Sequence, residues 1–162
     1  MANPDPHWPD VAADFAPDGS LRDIYVAGAG EAGWEAALAL VRRRYGPAAF
    51  SVDGRPAALP ARAAECSALR EAAAPVLAFD VGGVRLGAHF FVPDEVEFDL
   101  RPEEVGGPAE FAALVTFLRD LAVAVGRPAV LTAENLPAAV MLRADPATGA
   151  VTRPPDAGAP AG

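Results

Sequence analysis

The alternation of apolar and polar residues is clearest in the middle of the chain. VLAFDV (76–81) and VRLGAHFFV (84–92) both alternate with a period of two, and Gly82-Gly83 between them suits a two-residue hairpin loop. This register sets Val81 against Val84, Asp80 against Arg85 and Phe79 against Leu86. Treating Pro93-Asp94-Glu95 as a three-residue loop keeps the parity and pairs Val92 with Val96, Phe90 with Phe98 and Ala88 with Leu100. One face of this three-stranded meander is then apolar: Leu77, Phe79, Val81, Leu86, Phe90, Val92, Val96, Phe98 and Leu100. The other carries Asp80, Arg85, His89, Phe91, Glu97, Asp99 and Arg101.

Elsewhere the period lengthens to that of a helix. Trp34, Leu38 and Val41 predict a helix over 31–45, stopped by Gly46-Pro47. Phe111, Leu114, Val115, Leu118, Leu121, Ala122 and Val125 predict a longer one that begins near Pro108 and ends at Gly126. An alanine-rich stretch, 61–73, reads as a weaker helix with Leu69 as its large apolar anchor. AFSVDG and PAVLTAEN read as short strands, and AAVMLRAD as a further one. At the start, a Gly19-Ser20 loop sets Phe15 opposite Ile24 in an antiparallel hairpin. The expected fold is therefore α+β: a mainly antiparallel sheet, hairpin plus meander, covered on one face by about three helices. A flexible N-terminus (1–10), one domain (11–144) and a disordered Pro/Gly/Ala-rich tail (145–162) complete the expected organisation.

Charge narrows the partner classes. All 13 basic residues are arginine, and 22 acidic residues leave a net charge of −9 among 162 residues. No basic stripe offsets the repulsion of phosphates, so nucleic acid is a poor partner and a basic protein a better one. No apolar run has the roughly 20 residues needed to span a bilayer. The single cysteine, Cys66, cannot form an internal disulfide, and the expected location is a reducing cytoplasm.

DIYVAGAGEAGWEAALALV (23–41) has the outline of a dinucleotide site. A strand precedes Gly28, Gly30 and Gly33, a helix follows, and Asp53 ends the next strand about 20 residues on. Glu31 would lie inside the phosphate cradle, however, and the antiparallel meander leaves no second nucleotide half. Nucleotide or flavin binding through Gly28, Gly30, Gly33 and Asp53 is thus the alternative reading, and no cofactor is the leading one.

The meander register places His89 opposite Asp99 and diagonal to Glu97, a pair able to orient an imidazole. Cys66 sits in an alanine-rich helix with no activating motif around it, so no catalytic set is assigned. His7 and His89 are the only histidines, too few for a zinc site. Trp8 is expected to plug the core. The strongest candidate surface is acidic: Glu95, Glu97, Asp99, Glu103 and Glu104, with Phe91 as an apolar anchor among them.

The segments PDGSLRDIYV, AHFFVPDEVEFDL and PAVLTAEN, together with Trp34, resemble a family of small uncharacterised bacterial proteins over the chain up to about Arg143. The resemblance implies that G-A-G-E-A-G is a variable loop, and it implies no activity. In size, acidity and α+β build the chain is also similar to bacterial toxin-immunity proteins. The reading is a non-catalytic interaction module that binds a basic protein through its acidic sheet face, with a homodimer through that face left open.

Overall fold

A computed structural model describes residues 4–155. The order is α1 (Trp8–Val11), a 3₁₀ turn (Ala12–Phe15), β1 (Arg22–Val26), α2 (Gly30–Arg44), β2 (Ala49–Val52), β3 (Arg55–Pro56), α3 (Ala63–Leu69) and β4 (Pro75–Val81). Then come β5 (Val84–Ala88), β6 (Val96–Leu100), a second 3₁₀ turn (Pro102–Glu104), α4 (Pro108–Val125), β7 (Ala129–Ala133), β8 (Leu136–Ala144) and β9 (Val151–Thr152). The described strands form one antiparallel sheet in the order β3-β2-β4-β5-β6-β1-β7-β8-β9. The fold is α+β, as the alternation of periods predicts.

Helices α2 and α4 cover the same face of this sheet. Phe98 on β6 meets both Trp34 of α2 and Phe117 of α4, with ring centroids 6.0 and 5.6 Å apart. Phe79 completes the cluster at 5.5 Å from Phe98. Such edge-to-face pairs add about 0.5–1.5 kcal/mol each to the area they bury. Gly126, in the left-handed region (φ 76), ends α4 and returns its amide to the Ala122 carbonyl.

The N-terminal hairpin is not formed. Pro9 sits in the first turn of α1, and the segment that would have carried Phe15 opposite Ile24 coils into α1 and the 3₁₀ turn. Trp8 stacks there on Phe15 and Phe111, so part of the stretch expected to be flexible is packed on the core. The turn at Asp18-Gly19-Ser20 does form, with Gly19 at φ 84 and the Ser20 amide bonded to Asp18 Oδ1. What moves is β1: both of its edges are taken, Ile24 pairing with Phe98 on β6 and with Leu131 on β7.

Buried Arg22, 4% exposed, holds the displaced segment down. Its guanidinium donates to the carbonyls of Asp14, Ala16 and Leu21, to Ser20 Oγ and to the Asp18 carboxylate. With α1 included, the described residues hold four helices instead of about three.

Two further departures bear on the site. The β4/β5 register is as expected, but β5 ends at Ala88, and Leu100 faces Leu86 instead of Ala88. The slip is of two residues, so every side chain keeps its face except in the loop itself, where Val92 is 44% exposed instead of buried. The cause is tertiary: Trp34 Nε1 donates to the Val92 carbonyl (3.3 Å) and the Gly30 amide to the Asp94 carbonyl (2.9 Å), drawing residues 89–95 against α2. The second departure is β9. The chain after Asp145 was expected to be a tail, but Asp145 Oδ1 caps the amides of Ala147 and Thr148, Arg119 Nε donates to the Gly149 carbonyl, and Val151 is buried against β8. The rest of the expected tail, from residue 156, lies outside the described residues.

Candidate functional site on the open sheet face

The face of the sheet turned away from α2 and α4 carries the chemistry. On β1, Asp23 and Tyr25 alternate with core-facing Ile24 and Val26, and the register sets Asp23 opposite Asp99 and Tyr25 opposite Glu97. Three carboxylates and a phenol thus share a two-by-two block on adjacent strands. Asp23 Oδ2 accepts the Tyr25 hydroxyl (2.9 Å) and the Asn135 amide (2.7 Å), and its residue is 3% exposed. Burial raises the Asp23 carboxyl above its ordinary range, against the lowering effect of those hydrogen bonds. Burial, then the nearby Asp23, Glu95 and Asp99 charges, pushes Glu97 up to about 7. Glu97 makes no side-chain hydrogen bond or ion pair among the described residues.

His89 Nε2 meets Asp99 Oδ2 at 2.9 Å, and this hydrogen bond raises the imidazole above its ordinary pKa. The pair is the one expected from the sequence, yet it forms across a different register: Gly87, not His89, faces Asp99 in the ladder. Phe91 stacks on His89 with centroids 5.2 Å apart, and the Arg70 guanidinium sits 4.5 Å over the Phe91 ring. Phe91 is still 50% exposed.

The six expected partner-binding residues divide into two groups. Phe91, Glu95, Glu97 and Asp99 gather around β6 and the loop before it. Glu103 and Glu104 lie beyond the far end of β6 on the 3₁₀ turn, where Glu104 Oε1 accepts the Arg85 amide. Asp23, Tyr25 and Arg70 were not singled out from the sequence. Asp23 and Tyr25 carry a signal, alternation within RDIYV, which has meaning only once β1 is known to lie beside β6.

The alternative site does not assemble. Gly28 and Gly30 do take left-handed backbones (φ 64 and 66), and Gly33 packs where a Cβ would stand 2.4 Å from Ala29 Cβ. But the Gly30 amide is already bonded to Asp94, and the Arg127 guanidinium closes over Gly28 while its Nε donates to the Ala27 carbonyl. Asp53 lies in the turn just after β2, a strand four positions from β1, or about 19 Å at ordinary strand spacing. There it caps the Ala74 amide at 2.9 Å.

Cys66 does not join His89 and Asp99: it is fully buried in α3, and burial pushes its thiol up to about 11. His7 is exposed at the start of α1. Among the described residues no group of three or more His, Cys, Asp or Glu could hold a metal ion. No described helix is long and apolar enough to cross a membrane. Comparison with protein-family models, with curated proteins and with solved structures finds no match.

Proposed function

We propose that the chain is a protein-binding module whose open sheet face receives a cationic side chain of a basic partner. The observation that carries this reading is Glu97, a carboxylate with no hydrogen-bond donor among the described residues, crowded by Asp23, Glu95 and Asp99 beside half-exposed Phe91. A guanidinium or ammonium placed there would relieve like-charge repulsion on a surface already shaped by strands, while Phe91 and Val92 supply apolar contact at the rim. An immunity-type role, with a basic bacterial toxin as partner, is the specific form of this reading.

Calorimetry with an arginine-rich peptide tests it. Binding should weaken as salt rises and fall at least tenfold in the Glu95→Gln, Glu97→Gln double variant. Affinity insensitive to both would overturn the proposal, and sedimentation of the chain alone separates it from self-association through the same face.

A further inference from the structure

Toward the other end of the open face two arginines stand among the carboxylates. Arg85 lies on β5, where it faces Asp80 of β4, and Arg101 is the first residue past the end of β6. Neither guanidinium forms an ion pair within 4 Å among the described residues. Asp80, opposite Arg85 across β4/β5, accepts the Gly83 amide at Oδ1; Glu104 Oε1 accepts the Arg85 amide, and Asp99 Oδ2 meets the His89 imidazole.

Both arginines line a cleft of about 290 Å³. Its floor is built from small side chains on adjacent strands, with Ala78 facing Gly87 across β4/β5 and Val76 beside them. Larger residues at these positions would fill it. His89 closes the far end, fixed by Asp99. The cleft is thus lined by two arginines, the Glu104 and Asp99 carboxylates, a floor of small residues and the His89 imidazole. This distribution of a few convergent polar groups over an apolar floor is that of a small-molecule site, at the small end of the usual size range. Guanidinium forks match carboxylate and phosphate oxygens two at a time.

We propose that this cleft binds a small organic oxyanion, a carboxylate or phosphate ester on a flat apolar body, with Arg85 and Arg101 on the anionic group and the body over Gly87 and Ala78. The site lies toward the opposite end of β6 from Glu95 and Glu97, and it stands or falls independently of the partner-binding reading.

Titration of the full chain with phenyl phosphate, benzoate and benzyl alcohol, followed by NMR, tests it. Phenyl phosphate or benzoate should give saturable shifts at the Gly87 and Ala78 amides and at the Arg85 and Arg101 Nε–H groups, and the tighter of the two identifies the anionic group. Benzyl alcohol should give none. Arg85→Gln and Arg101→Gln should each weaken the anion at least tenfold, with unchanged core methyl signals showing that the variants fold. Absence of saturation by either anion, equal binding of the alcohol, or full affinity in both variants would overturn the proposal.

Discussion

His89 Nε2 and Asp99 Oδ2 lie 2.9 Å apart because the residue between them in the ladder has no side chain. A Cβ on Gly87 would stand 2.9 Å from Asp99 Oδ1 and 3.7 Å from His89 Nε2, so the glycine provides the space through which the pair forms. Gly87→Ala should push the Asp99 carboxylate aside at a cost of about 1–2 kcal/mol, in the range of other overpacking changes. The more specific readout is the imidazole. Its titration, followed by NMR, should move down toward the ordinary histidine range; an unmoved His89 in the folded variant would show that the pair tolerates a methyl group.

Glu97 makes stability depend on pH in a defined direction. Its carboxyl is held at about 7 in the folded chain against 4.5 ordinarily, so the folded state binds the proton more tightly than the unfolded one. The resulting stability is complete below pH 4.5 and is lost as pH rises through 7. Glu97→Gln removes this loss, and should raise urea stability at pH 8 by about 1 kcal/mol after allowing for solvent screening, with little gain at pH 5. A gain of equal size at both pH values would contradict the assignment. Partner binding through an ionised Glu97 should run the opposite way, strengthening from pH 6 to 8.

Arg22 is the largest single tie between the N-terminal segment and the sheet. Arg22→Leu keeps an apolar stem but leaves the carbonyls of Asp14 and Ala16 without the guanidinium donor and takes the ion pair from Asp18, whose Oδ1 keeps the Ser20 donors. The expected cost is about 3 kcal/mol, seen as a lower denaturation midpoint. Hydrogen exchange should be faster in residues 8–20, while β4 and β5 remain protected.

Elements specified by their own residues were legible in the sequence. The β4/β5 hairpin follows from Gly82-Gly83, and α4 from Pro108, its apolar stripe and Gly126. What escaped depends on distant contacts. The apolar strand IYV could pair with any unfilled edge, and nothing within it selects β6 and β7 over a local hairpin. The two-residue slip at β6 depends on Trp34 and Gly30, which bind the 89–95 loop from another element. The His89–Asp99 pair survived the slip because parity, not register, decides the face. Arg22 had a faint signal, a cation at the mouth of an apolar strand within reach of Asp14 and Asp18.

The central position of β1 also governs how the chain can be assembled as it is synthesised. Ile24 is made early, but its two neighbours, Phe98 and Leu131, emerge much later. Throughout translation of the intervening residues the strand that will join the two halves of the sheet has neither edge satisfied, and closing such distant pairings is slow. The nascent chain therefore carries an adhesive segment, DIYV, until β7 leaves the ribosome. In the cell, yield should then depend on elongation rate and chaperone supply as well as on the stability of the finished fold.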